Sequence, residues 1–408
     1  MFYSTNKWVR IPLFNFLLTA FIGVILRYKI AFSLPFVHQK NLLHGHSHFA
    51  FSGWVSQILM FLIVKHLTAN KEFPKKYERL LWINFFTATG MLITFIIQGY
   101  GLFSIIFSII SILISYLFAL YVLKDIKQQA VVRPSYLFIK AAIFFNTLSS
   151  LGAFSLAFIM ANKIVHQEFS LLSVYFFLHF QYNGWFLFAC MGLLAGAIEQ
   201  YLQNFKKLRT AFWMLFVSCI PSFFLSALWL KLPWLIHLLI LISAFVQLIG
   251  WCFFLKTITH QKIFFNSISS ISRMLLLLSG TAATIKFLLQ LGSLAPSLST
   301  LAFGFRPIVI GYLHLVFLGA ISIFIVAYCS VFFMLHTRRR LRAGIFILTI
   351  GVILNEFILM IQGLADIYYI FIPNLNIALL CVAIVMFIGL VLINLSLSGN
   401  SAKVCSQS

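Results

Sequence analysis

Three histidines stand in one pattern at even intervals along the chain. His48-Phe49-Ala50-Phe51-Ser52-Gly53, His179-Phe180-Gln181-Tyr182-Asn183-Gly184 and His314-Leu315-Val316-Phe317-Leu318-Gly319 each read His-x-x-aromatic-x-Gly, and successive copies lie 131 and 135 residues apart. Imidazole ligates transition metals and haem iron through either ring nitrogen, and its ordinary titration falls near neutral pH. The glycines Gly53, Gly184 and Gly319, five positions after each histidine, leave room for close approach, either of a flat macrocycle or of a neighbouring helix. Two further histidines, His44 and His46, alternate with His48. On a helix His44 and His48 share a face, while His46 points about 200° away. One of them could ligate iron while another sits at the membrane surface; a copper or zinc site made from His44 and His48 is a second arrangement, and interfacial residues reaching water a third.

The elements that must position these residues are membrane-spanning helices. The sequence is 62% hydrophobic and 9% charged, against about 45–50% and 25% in a soluble globular chain, so lipid is the solvent for most of it. Apolar runs of about 20 residues, the length that crosses ~30 Å of hydrocarbon, fall at 10–32, 42–66, 79–98, 101–123, 135–160, 170–200, 209–229, 232–256, 270–291, 306–335, 341–364 and 367–396. The spacing therefore predicts an all-α polytopic protein of about twelve spans, a single transmembrane domain over 1–408. The first run lacks a small-residue cleavage site and reads as a mature helix rather than a signal peptide.

A formal charge of +22, with only seven acidic residues, would point to nucleic acid in a soluble protein. Here the bases sit in short gaps after even-numbered runs, at Lys71/Lys75/Lys76/Arg79, Lys124/Lys127/Arg133, Lys206/Lys207/Arg209, Lys256/Lys262 and Arg338/Arg339/Arg340/Arg342. The opposite gaps hold few, except the first, with Arg27, Lys29 and Lys40. That pattern is one of cytoplasmic loops, which excludes a nucleic-acid groove and places both termini in the cytoplasm. The cysteines are scattered without CxxC, so neither a disulfide framework, a zinc site of that type nor covalent haem is expected.

The three motifs fall on runs two, six and ten, four helices apart, so the chain reads as three copies of a four-helix unit, roughly 10–123, 135–256 and 270–396, in a pseudo-threefold ring. At 1.5 Å per residue each histidine lies ~9–13 Å below the outer end of its run, and His237, about five residues into run eight, is similar. An ionisable group at that depth needs a partner, and a metal or haem iron would satisfy several imidazoles at once. Runs three and eleven echo one another in Ile97-Gln98-Gly99 and Ile361-Gln362-Gly363. Tyr182, one turn beyond His179, and Tyr312, two before His314, are a proton donor or structural aromatics. Lys140, Lys286, Asn84, Asn146, Asn355 and Glu356 are polar groups in or near the membrane, part of a proton path or of interhelical hydrogen bonding.

Twelve helices with histidines on the second, sixth and tenth resemble the catalytic subunit of haem-copper oxidases and bacterial nitric oxide reductases. The segment Gly311-Tyr312-Leu313-His314-Leu315-Val316-Phe317-Leu318-Gly319-Ala320 is similar to that family's helix-ten motif, with Tyr312 where its first histidine, the high-spin haem ligand, would stand. The resemblance implies that His314 ligates a low-spin haem together with His48, or with His44 as the alternative. It implies a copper-ligand role for His179, and in some members a tyrosine near this position is catalytic, which bears on Tyr182. Run seven holds no histidine, so the adjacent pair that completes the copper site is absent; His237 would supply one ligand at most. The chain also resembles the NnrS-like membrane proteins of nitric oxide stress, which bind haem and copper.

The expected function is therefore that of a haem-binding inner-membrane protein, with non-covalent b-type haem and copper as a further candidate. It would act in electron transfer from a cytochrome or quinol donor, or in nitric oxide or oxygen handling. Whether it is an oxidoreductase stays open, because the binuclear ligands are incomplete. The alternative is a transporter or channel with a midplane polar site; a third reading is zinc or copper bound by His44, His46 and His48 without haem.

Overall fold

The computed structural model describes residues 2–68, 71–129, 131, 133–295, 305–333 and 339–398. Arg338 and the last residues of run ten lie outside them. The described residues are helical throughout, joined by short turns, with no strand among them. In chain order the main helices are α1 (Phe2–Ala31), α2 (Gln39–Thr68), α3 (Lys75–Gln98), α4 (Leu102–Lys127), α5 (Pro134–Ala161) and α6 (167–198). The second half holds α7 (Lys206–Cys219, continued by a 3-10 turn Pro221–Ala227), α8 (Trp234–Thr259), α9 (Ser270–Gly292), α10 (Arg306–Phe332), α11 (Arg339–Ile367) and α12 (Leu375–Ser398). A short helix, Lys262–Ser267, precedes α9.

Ten of these are long and apolar enough to cross a membrane, or eleven with the two halves of α7 taken together, so the chain is a multi-pass helical membrane protein. Two elements depart from the sequence reading. The α12 helix starts at Leu375 and not near 367, because the apolar stretch after α11 turns: Tyr369 and Asn374 adopt left-handed φ angles of 53° and 62°. The α7 helix bends by 45° where Pro221, which has no N–H to continue an α-helix, follows Ile220. The Gln-Gly echo is not structural either, since Gly99 ends α3 while Gly363 lies buried inside α11.

Backbone contacts divide the chain into two compact units. The first comprises Met1–Ile114, Ser269–Leu276 and Ser322–Ser408. In it α1 packs on α2 and α12, α2 on α3, and α11 along α12. The α11–α12 crossing is close enough that a methyl group on Gly389 would sit 2.6 Å from the Leu348 nitrogen, the small-residue contact that drives helix association in lipid. The second unit comprises Ser115–Ile268 and Leu277–Ile321. There α5 packs along α6, and α7 against α8; Trp251 Nε1 of α8 donates to Thr284 Oγ1 of α9 at 2.9 Å.

Candidate functional site: three histidines at π-helical turns

Each of the three motif histidines is followed at once by a π-helical segment. These are Ala50–Ser56, Phe180–Phe186 and Leu315–Ser322, and they contain Gly53, Gly184 and Gly319. A π segment carries an extra residue per turn, shifts hydrogen bonds to i→i+5 and recurs at functional positions. It also leaves carbonyls that other groups must satisfy. In the first segment Asn15 Nδ2 of α1 donates to the Gly53 carbonyl at 2.7 Å, and Asn84 Nδ2 of α3 to the Ser52 carbonyl at 3.1 Å. Ser279 Oγ of α9 does the same for the Ala320 carbonyl at 2.7 Å. Trp54 Nε1 reaches Ser322 Oγ at 2.9 Å.

At the three glycines, neighbouring side chains lie close to the backbone. A methyl group on Gly184 would clash with Phe145, one on Gly53 would lie 2.7 Å from Phe49 Cε2, and one on Gly319 3.1 Å from Ala282 Cβ. Each of these glycines is thus a packing position in this structure.

In the first unit, His44 and His48 face α3. The His48 ring stacks on Phe95 with centroids 4.2 Å apart and planes 8° from parallel, and His44 meets the Tyr100 ring edge-on at 4.7 Å. Gly99, at φ 63°, turns the chain after α3 so that Tyr100 joins this wall, and Asn41 Oδ1 occupies the space a side chain there would take. Neither imidazole has a hydrogen-bond partner among the described residues, and His44 Nε2 is buried without one. His46 turns to α1, where its Cε1 lies 3.5 Å from the Cβ position of Gly23. Alternation thus separates His46 from the other two.

The second unit treats its copy differently. His179 is 0% exposed. Its Nε2 lies 2.9 Å from the Cys219 carbonyl and its Nδ1 3.0 Å from Asn183 Nδ2. A carbonyl only accepts, so the ring is the neutral tautomer with the proton on Nε2, and Nδ1 accepts from Asn183. The break at Pro221 makes this possible. Phe223 N–H donates to the Ile220 carbonyl in the 3-10 turn, so the Cys219 carbonyl is taken up by His179 and by Ser222 Oγ at 2.9 Å. No lone pair of His179 is left for copper, and among the described residues no three His, Cys, Asp or Glu side chains converge as a metal site would need.

His314 Nδ1 donates to the Ile310 carbonyl at 2.8 Å, which puts the ring's lone pair on Nε2, the arrangement that orients ligating histidines. Tyr182 and Tyr312 meet edge-on with ring centroids 6.1 Å apart. His237 is exposed in the first turn of α8, its Nδ1 3.3 Å from the Pro233 carbonyl; it does not join buried His179. An open groove of about 420 Å³ lies beside Lys206, Arg209 and Trp213 and contains none of these histidines.

The features that sequence reasoning missed are the π segments and the His179–Cys219 clamp. Pro221 inside run seven was the available signal for the second. No protein-family model matches the chain, and no curated protein matches it.

Proposed function

We propose that the protein is a multi-pass haem-binding membrane protein, in which His48 would hold one non-covalent b-type haem. Run 167–198 and the bent α7 count as spans in this reading, giving twelve, with both termini on the cytoplasmic side of a cell inner membrane. The observation that carries it is the pair His44 and His48: imidazoles set well inside a membrane helix, against an aromatic wall, with ring nitrogens that no group among the described residues takes up. Such groups are costly in lipid unless a ligand satisfies them.

When bound, the haem iron would supply one-electron or gas-binding chemistry. The chain's own part is to orient and to exclude water. Phe95 stacks on His48 and restricts its ring. Electron transfer with a cytochrome or quinol, or binding of oxygen or nitric oxide, fits one such haem. The resemblance to haem-copper oxidases supports a haem-ligand role for His48; the residues present do not fit its copper site, because His179 is engaged on both nitrogens, and no copper role is proposed.

A transporter is the second reading, favoured by the broken α7 and the polar interior of the second unit. Purified protein from cells supplied with haem separates the two. The haem reading expects a sharp low-spin Soret and alpha band on reduction and about one extractable haem per chain, with the bands lost in His48→Ala. A colourless, folded protein would overturn it and leave the transporter.

A further inference from the structure

The open groove at the start of α7 presents hydrogen-bond donors and positive charge that nothing else in the second unit takes up. Asn204, Lys206, Arg209, Thr210 and Trp213 line its volume of about 420 Å³. Lys206, Lys207 and Arg209 are exposed, and among the described residues none of them forms an ion pair. Glu199, the acidic residue nearest in sequence, is buried and accepts from the Ser135 N–H at 2.6 Å. Asn204 Oδ1 accepts from the Lys206 N–H at 2.7 Å, which commits its oxygen and leaves its NH2 unbonded among the described residues. Thr210 Oγ1 donates to the Lys206 carbonyl at 3.0 Å. An ammonium and a guanidinium donate and never accept, and a guanidinium meets phosphate oxygens with two parallel bonds. The ligand chemistry of the groove is therefore that of an anion.

The same helix face continues as apolar surface. Trp213 follows Arg209 by four residues, Val217 follows Trp213 by four and Ile220 follows Val217 by three, and all three are exposed. That spacing keeps them on one face, while Leu208, Ala211, Phe212 and Leu215 on the other side of α7 are buried. From Trp213 to Ile220 the stripe descends ~10 Å into a leaflet whose hydrocarbon is ~15 Å deep. Tryptophan gathers where headgroups meet hydrocarbon, so Trp213 marks that level, with the cations on its water side and Val217 and Ile220 on its lipid side. A free anion would use the cationic cleft alone. A cleft directly above an apolar stripe fits a molecule with an anionic head and an acyl chain. The gap before α7 is one of the basic gaps that the charge rule assigns to the cytoplasmic side, the leaflet whose surface potential anionic lipids make negative.

We propose that the groove formed by Lys206, Arg209, Thr210 and Trp213 binds the phosphodiester headgroup of one anionic phospholipid, with an acyl chain along Val217 and Ile220. It shares no residue with the His44–His48 wall, so a colourless protein leaves it standing.

Native mass spectrometry of the purified full chain, titrated with phosphatidylglycerol or with phosphatidylcholine of the same acyl chains, tests this. The wild type is expected to bind one phosphatidylglycerol roughly ten-fold more tightly than phosphatidylcholine, the scale of two cations at an anionic surface. The double variant Lys206→Gln/Arg209→Gln should lose most of that preference, and Lys124→Gln/Lys127→Gln, at the end of α4, should keep it. Excess inorganic phosphate should leave the bound lipid in place. If the groove variant does not fold, a photoreactive phosphatidylglycerol on the wild type decides, with crosslinks expected within residues 203–220. Equal binding of the two lipids, a preference kept in the groove variant or lost equally in the α4 variant, or crosslinks only elsewhere would each overturn the proposal. Displacement by inorganic phosphate would overturn it too, by making the ligand a soluble phosphate.

Discussion

His48 and His179 open the same sequence motif and precede the same π-helical segment, yet their surroundings leave them opposite chemistry. His179 is held from both sides by its own unit, through a carbonyl released by the break in α7 and an amide one turn along its helix. His48 has an aromatic ring on its face and nothing on its nitrogens among the described residues. The shared motif therefore brings the same backbone device while its neighbours decide the surroundings: where α7 breaks at Pro221, histidine becomes a structural donor, and where Phe95 of α3 and Tyr100 after it form the wall, its nitrogens have no partner among the described residues.

The largest expected effect is spectral. His48→Ala should abolish the low-spin bands while the protein remains folded, because no hydrogen bond among the described residues is lost with the ring. His179→Leu should do the reverse, keeping colour but destabilising the protein by roughly 1–3 kcal/mol, since it strands the Asn183 amide and removes a donor from the Cys219 carbonyl. His179→Gln, whose Nε2 can donate to that carbonyl, should recover part of the loss. Thermal melts in detergent check both, and a His179→Leu protein as stable as wild type would sink the clamp.

The glycines sharpen the contrast at smaller scale. Gly184→Ala drives a methyl into Phe145 and should cost about 1–3 kcal/mol, the usual range for overpacking. Gly319→Ala, against a single Ala282 methyl at 3.1 Å, should cost less than Gly184→Ala; equal losses would mean that the two π segments are packed alike. Smallest is Asn15→Ala, which strips the donor from the Gly53 carbonyl and should cost ~0.6–1.7 kcal/mol, the range of interhelical hydrogen bonds in membranes. A larger effect would make the π segment of α2 depend on that one amide.

Most helix positions were legible because lipid-crossing elements need long unbroken apolar runs, and such runs are read directly from residue type. The two misplacements have local causes. Residues 367–374 are apolar enough to continue a helix but contain Pro373 and end in the left-handed Asn374, and Pro221 breaks a run that hydropathy alone joins. The separation of His44 and His48 from His46 was also legible, since it follows from helix geometry. The π segments were not: a seven-residue change in hydrogen-bond register leaves no period in the sequence. Nor was the engagement of His179, which depends on a carbonyl 40 residues away. Glycine spacing pointed to close approach of either a ligand or a packed neighbour; Phe145, Phe49 and Ala282 lie there, and nothing in the motif names those neighbours.

The direct measurement is the reduced-minus-oxidised absorption spectrum of His48→Ala beside His179→Ala, both purified from haem-replete cells and normalised to folded protein. The account predicts that His48→Ala loses the low-spin alpha band and His179→Ala keeps it at wild-type haem content. Bands that survive in His48→Ala, or vanish only in His179→Ala, would contradict it.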